Sequence, residues 1–284
     1  MRSEIAQKKV WDWPTTDEAY LTLDLECDFG TALSSNSYQA ASNTAPLVDF
    51  LERLDIPLTV FVQTELLTVA PAAIDRLRAA DIRTRFYPHS HTHQKRNQTD
   101  VGFEVRESTT RYREFFGRNP TGYRFPDGAV HAADYHELAN HGYQFDASVF
   151  PMMRPDRFNN SGEPTVPSYQ AGPDIVEIPF TMYSNKIRVP TALSYCRLIG
   201  RPYTELLRRR PPSVVMCNFH MHDVVTPPAY RHLPRLYKAV YARNGGRGYE
   251  FLERIITGLR DAGLSFETLD SVHERLRNHH STRG

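Results

Sequence analysis

The chain has 284 residues, 40% hydrophobic and 24% charged, which is the make-up of a globular protein long enough to bury a full core. A formal net charge of +1 leaves no strong field to draw it onto nucleic acid or an anionic membrane, and Arg208-Arg209-Arg210 reads as a solvated helix end. No apolar run approaches the ~20 residues that cross a bilayer, and Met1-Arg2-Ser3-Glu4 continues into Gln7-Lys8-Lys9 without an apolar signal core, which predicts a cytoplasmic protein with no membrane span.

Residues 1–19 read as an N-terminal arm, with Trp11 and Trp13 as its anchors, and 20–284 as a single domain. Tyr20-Leu21-Thr22-Leu23 predicts a first strand. Pro46 opens a helix with Leu47, Phe50, Leu51 and Leu54 on one face, and Ile56 to Val62 predicts a second strand. A helix from Pro71 to Arg78, a strand from about Ile82 to Tyr87 and a helix from about Val101 to Phe116 follow. Shorter units come next: a strand at Thr121 to Phe125, a helix near Ala133 to Asn140 stopped by His141-Gly142, and a strand at Tyr143 to Phe145. Residues 152–212, rich in proline and with one good strand at Ile175 to Ile178, predict a long irregular excursion over one rim. The strand pattern resumes at Ser213 to Phe219, then a helix from Tyr249 to Asp261, a strand from Leu264 to Glu267 and a terminal helix near Ser271 to Arg277. Strands alternating with amphipathic stretches predict an α/β protein with parallel strands covered by helices. Gly245-Gly246-Arg247-Gly248 lacks the Lys-Ser/Thr of a phosphate loop and reads as a turn. Cys27, Cys196 and Cys217, odd in number and without CxxC spacing, predict reduced, buried thiols.

Polar residues collect just after the predicted strands. His89-Ser90-His91-Thr92-His93 places two imidazoles, His89 and His93, four residues apart, close enough to meet on one metal ion. Asp24 and Glu26 share one side of a strand end, where one carboxylate can bind a metal and the other can take a proton from water; Asp28 extends the series. A His/His/carboxylate set matches open catalytic zinc sites, which use three protein ligands and leave room for water. Arg124 precedes a turn at Phe125-Pro126-Asp127-Gly128, whose backbone N–H groups can face a developing oxyanion while the guanidinium holds a carboxylate. Asp146 stands in register to orient a histidine. His220 and His222, two apart at a strand end, predict imidazoles on one side, placed either to protonate a leaving amine or to serve as further metal ligands. In a parallel α/β barrel all these strand ends share one face.

In this order the motifs resemble those of the NodB-homology polysaccharide deacetylases, carbohydrate esterase family 4, over roughly residues 20 to 270. Carrying the resemblance are Thr22-Leu23-Asp24-Leu25-Glu26, His89-Ser90-x-Thr92-His93, Arg124-Phe125-Pro126, Phe145-Asp146-Ala147-Ser148 and Phe219-His220. It implies a distorted (β/α)7-type barrel and a divalent metal, zinc first, with Co2+, Mn2+, Ni2+ or Fe2+ as alternatives, that activates water to hydrolyse an N-acetyl or related acyl group. Carried over, Asp24 is the general base, Glu26, His89 and His93 hold the metal, Arg124 fixes Asp24, and Asp146 tunes the catalytic histidine. That histidine is assigned to His220 ahead of His222. Two departures stand out: the second carboxylate is Glu26 at +2 or Asp28 at +4 instead of an adjacent aspartate, and Asp127 replaces a common tyrosine. The expected substrate is a small molecule or glycan precursor carrying an N-acyl sugar. A small non-sugar amide or formamide, and a non-catalytic carbohydrate-binding barrel, are the rival expectations.

Overall fold

The computed structural model describes residues 9–154, 158–170 and 173–281. Among them, seven strands form the walls of a curled barrel: β1 (Glu18–Leu25), β2 (Leu58–Val62), β3 (Thr84–Pro88), β4 (Gly122–Tyr123), β5 (Phe145–Asp146), β6 (Ile175–Glu177) and β7 (Val214–His220). Parallel ladders join β7 to β1, β1 to β2, β2 to β3, β4 to β5 and β5 to β6. The seam between β3 and β4 is carried by Arg124 N–H on Pro88 O at 3.2 Å. Between β6 and β7 the ring closes through side chains: Met216 N–H donates to Thr181 Oγ1 at 2.7 Å, and Thr191 Oγ1 donates to Met216 O at 2.8 Å. A further strand, β8 (Ser265–Glu267), pairs with the first residues of β1.

Alternation along β1 explains why one strand serves two cores. Leu21, Leu23 and Leu25 face the helices, where they pack with residues such as Leu47 and Leu51 of α1 (Ala45–Leu54). Tyr20 belongs instead to the barrel interior, with Phe61, Tyr87, Phe145, Phe180 and Met216, and period two puts Thr22 and Asp24 on that same inner face. A strand buried on both sides reads as a nearly continuous apolar run, and the polar exceptions at Thr22 and Asp24 therefore mark the interior of the mouth. Gly122 is required at β4, since a Cβ there would lie 2.1 Å from Phe145 Cζ.

Helices α2 (Pro71–Ala79), α3 (Val101–Phe116) and α4 (Ala132–Asn140) follow the predicted spans closely. Asp100 caps α3 by accepting from Phe103 N–H, and Gly117, at φ 69°, ends it. The predicted strand at Thr121 to Phe125 shrinks to two residues, because Arg124 already turns into the barrel mouth. The predicted irregular excursion is shorter than expected. Its described residues contain an antiparallel pair (Met153–Arg154 with Phe158–Asn159), a strand at Ser168–Gln170, barrel strand β6, and two helices, α5 (Leu193–Ile199) and α6 (Arg201–Arg209). Helix formation after residue 192 was masked by proline content: Pro202 sits in the first turn of α6, where its missing N–H does no harm.

After α7 (Gly248–Asp261), the base of the barrel is sealed by α8 (Asp270–Ser281), which sends Val272 and Leu276 into the interior cluster, and by Trp11 and Trp13 packed against it. Residues 9–10 add a strand to Ser168–Tyr169, and residues 1–8 of the predicted arm lie outside the described residues. All three cysteines are free and buried, as predicted. No helix among the described residues is long and apolar enough to cross a membrane.

One titratable group in this seal makes acid stability predictable. Burial, with Arg277 adding to it, pushes His273 of α8 from the usual 6.5 down to about 4. Between those two values the unfolded chain binds a proton that the folded chain does not, so stability falls as pH drops through the window. From pH 7 to 5 this one group is expected to withdraw about 2 kcal/mol. Urea unfolding at the two pH values checks it: His273→Gln should remove that share of the acid loss, and an unchanged loss would refute it.

Candidate metal centre and its surroundings

The C-terminal ends of the strands meet at one mouth, as the barrel topology requires. Glu26, one residue past β1, has Oε2 2.6 Å from His93 Nε2 and 3.1 Å from His89 Nε2. All three side chains are buried, and their ligand atoms lie within 4.8 Å of one another. His89 Nδ1 lies 2.9 Å from Arg124 O. A carbonyl only accepts, so Nδ1 donates there and Nε2 is the ring atom that faces Glu26. His93 Nε2, though close to the carboxylate, makes no hydrogen bond to it, and Nδ1 has no partner either. Buried lone pairs converging on a carboxylate need a positive charge among them, either a proton or a cation. This donor set therefore fits a divalent metal bound by two imidazoles and one carboxylate.

Glu26 is held well below the usual carboxylate range: burial opposes its ionisation, and the charges of His93 and His220 overcome it. Asp28 is not part of this cluster. Its carboxylate accepts from Ser37 Oγ and from the backbone N–H groups of Gln39 and Ala40, at 2.7 to 2.9 Å, and so shapes the following loop. Of the two carboxylates left open by the sequence, Glu26 is the one beside the histidines.

Asp24 sits at the end of the inward face of β1. Its Oδ1 accepts from Arg124 Nη1 at 2.7 Å and its Oδ2 from Asn218 Nδ2 at 3.1 Å. Burial opposes ionisation here too, but Arg124, then His89 and His220, keep the carboxyl below its ordinary value. Arg124 is fully enclosed. Nε donates to Ala147 O at 2.7 Å, Nη1 also reaches Thr22 Oγ1 and Asn218 Oδ1, and the guanidinium lies between the rings of Phe61 (3.8 Å) and Phe180 (4.4 Å).

His220 is paired in register with Asp24 across β7 and β1, which brings Nε2 to 3.7 Å from Asp24 Oδ2 and 4.0 Å from Glu26 Oε1. Its Nδ1 and its backbone N–H both lie 3.0 Å from Asp223 Oδ2, and Asp223 is held in turn by Arg197 Nη1 at 3.0 Å. Burial would lower the imidazole's affinity for a proton; Glu26, Asp223 and Asp24 raise it instead, to about 9. Asp146, expected beside this histidine, is elsewhere. Its Oδ1 accepts from Ser148 Oγ, which accepts from Phe125 N–H, and it shares a buried carboxyl contact with Glu177. Burial raises both, Asp146 to about 6. Asp146 thus braces the segment carrying Arg124, while Asp223 occupies the position on His220 that the sequence assigned to Asp146. The reason is local: β7 ends at His220, and the chain enters one helical turn, Met221–Val224, which folds Asp223 back onto the ring.

That same turn corrects the expectation for His222. It is not on a strand, and its Nδ1 accepts Phe29 N–H at 3.1 Å. Burial and neighbouring His220 lower it to about 4, so it is neutral. The two rings stack, with centroids 4.8 Å apart. Pro126, Asp127 and Gly128 form a short helical turn beside Arg124, with Asp127 in the left-handed region at φ 58°.

Two residues not singled out from the sequence complete the centre. Asn218 bridges Asp24 and Arg124; its period-two spacing from His220 was the available clue. Glu104, in the first turn of α3, accepts from His91 N–H at 2.7 Å, from Thr92 N–H at 2.8 Å, and from the Ser90 and Thr92 hydroxyls. It clamps a loop in which Ser90 and His93 both have positive φ.

Residues 15–146, just under half the chain, match the family described as polysaccharide deacetylase. Over those residues the chain is similar to that family. Its family match takes in Asp24, Glu26, His89, His93, Arg124 and Asp146 and stops short of His220. Among solved structures, a protein described as a probable polysaccharide deacetylase from Pseudomonas aeruginosa PAO1 superposes with TM-score 0.62 at 12% identity, covering 93% of this chain and 92% of that one. Puue allantoinase gives 0.59 at 14%, covering 95% and 93%. A family 4 carbohydrate esterase from Bacillus anthracis gives 0.50 at 14%, covering 94% and 86%. At such identities the likeness establishes the fold, the distorted (β/α)7 barrel that the motifs implied. No curated protein matches the sequence.

Proposed function

We propose that this chain is a metal-dependent hydrolase that removes an N-acetyl or related N-acyl group from a sugar or glycan precursor. The observation that carries the proposal is the placement of Asp24 and His220 3.7 Å apart beside the buried Glu26, His89 and His93 cluster. Those three residues would hold a divalent cation, zinc first and Co2+, Mn2+, Ni2+ or Fe2+ as alternatives. When bound, the cation supplies Lewis acidity at the acyl oxygen and lowers the pKa of water from about 15.7 toward ~7. Asp24, kept ionised by Arg124, takes the proton from the attacking water. The turn at Pro126 and Asp127 offers the backbone N–H of Asp127 to the oxyanion. His220, held by Asp223 with Nε2 toward the mouth, gives its proton to the leaving amine.

The test is to count metal in the purified protein and to assay acetate release from N-acetylated sugars, formate release from formamides and ring opening of small cyclic amides. Metal together with release from the sugars supports the proposal; hydrolysis of the cyclic amides or formamides alone moves the substrate to the non-sugar class. No metal and no release would leave a non-catalytic binding barrel.

Glu104 touches no reacting atom and is expected to act on metal affinity alone. Glu104→Gln, which cannot accept from all four donors, should weaken metal binding ~10–100-fold by competition against a chelator, the range for residues that orient metal ligands. Unchanged affinity would refute the clamp.

A further inference from the structure

We propose that the loop between β1 and α1 is a strap across the barrel mouth that restricts this site to free or chain-terminal amides and excludes interior residues of a polymer; this rests on the amide-hydrolase function proposed above. In a ring of seven strands, β1 and β4 are three places apart, the largest separation possible. The loops that follow them are nevertheless joined, since Thr31 Oγ1 donates to Asp127 Oδ2 at 3.1 Å. That hydrogen bond spans the mouth.

The strap lies directly on the candidate ligands. Gly30 has φ +52°, and a Cβ built there would be 3.0 Å from Glu26 Oε1 and 3.3 Å from His93 Cε1. A side chain there would crowd both ligands and would sit in the left-handed region that favours glycine. The strap is also tied along its length. Phe29 N–H donates to His222 Nδ1 at 3.1 Å, Asn36 Nδ2 to Thr92 O at 3.0 Å, and Ala229 N–H to Gln39 Oε1 at 3.1 Å. These ties reach the loops after β3 and β7 as well, so the strap is fastened on three sides.

Its consequence is visible in the exposure of the site. Asp24, Glu26, His89 and His93 are each 7% exposed or less, while the His220 side chain keeps 24%. Access is therefore from the His220 side. An interior residue of a polysaccharide has chain leaving in two directions and needs a groove open at both ends, whereas a free sugar or a terminal residue needs one opening.

The experiment uses the metal-loaded protein with N-acetylglucosamine, a penta-N-acetylated chitooligosaccharide, and the cyclic amides and formamides of the panel above, locating the deacetylated residue by mass spectrometry. Release from free or terminal amides alone is expected, with Thr31→Val, which frees the strap from Asp127, raising interior relative to terminal release by about tenfold or more. Interior release by the wild-type protein at a rate comparable to terminal release would overturn the strap while leaving the hydrolase standing. Absence of release from every compound would overturn both.

Discussion

Asp24→Asn is expected to bind metal as the wild type does and to lose roughly 100- to 10,000-fold in kcat, the range for a positioned general base. The amide is isosteric and keeps an acceptor for Arg124 Nη1, now 2.7 Å from Oδ1, but it cannot take a proton. Metal content should be unaffected because the three candidate ligands are other side chains. His220→Ala provides the complementary measurement. If His220 protonates the leaving group, its loss should damage hydrolysis of an amide far more than that of an activated aryl ester, whose leaving group needs no proton. Asp24→Asn should damage both alike. Retention of more than a tenth of wild-type kcat by Asp24→Asn, or equal damage to amide and aryl ester by His220→Ala, would remove the assigned role.

The contrast between Asp24 and Asp146 shows what a sequence can reveal about such a site. Residues at strand ends were legible because parallel topology sends every strand end to one mouth: Asp24, Glu26, His89, Arg124 and His220 all arrive there. Which partner each one meets was less legible. Asp146 is also at a strand end, yet β5 lies two places from β7 in the closed ring, and the helical turn after β7 delivers Asp223 to His220 first. Period-two reasoning likewise carried His222 onto a strand that had already ended. Asp28 followed the same alternation as Asp24 and Glu26 on paper, but the chain leaves the strand after Leu25, and the loop turns its carboxylate toward Ser37, Gln39 and Ala40. Glu104 was invisible because an acid in the first turn of a helix ordinarily serves the helix dipole, and only the three-dimensional approach of the histidine loop gives it four donors. The segment 152–212 misled for a composition reason: proline marks irregular chain in general but is harmless where it starts α6.

The largest effect on stability is expected at Arg124. It is 1% exposed, and its charge is answered by Asp24, which is itself buried. Removing one partner of a buried pair leaves the other uncompensated, so Arg124→Ala is expected to lower unfolding stability by ~3–5 kcal/mol. The space opened between Phe61 and Phe180 adds a packing loss to that figure. Arg124→Met separates the two contributions, because an unbranched side chain of similar length can refill the slot between the rings without restoring the charge. Met should therefore recover the packing part only. Joining Arg124→Met to Asp24→Asn removes both charges, and the double variant should be more stable than the sum of the two single losses predicts, by about 1–3 kcal/mol. Denaturant unfolding of the four proteins measures that coupling. Simple additivity would mean that the 2.7 Å pair under the mouth contributes nothing to the fold and that Asp24 keeps its charge by some other means.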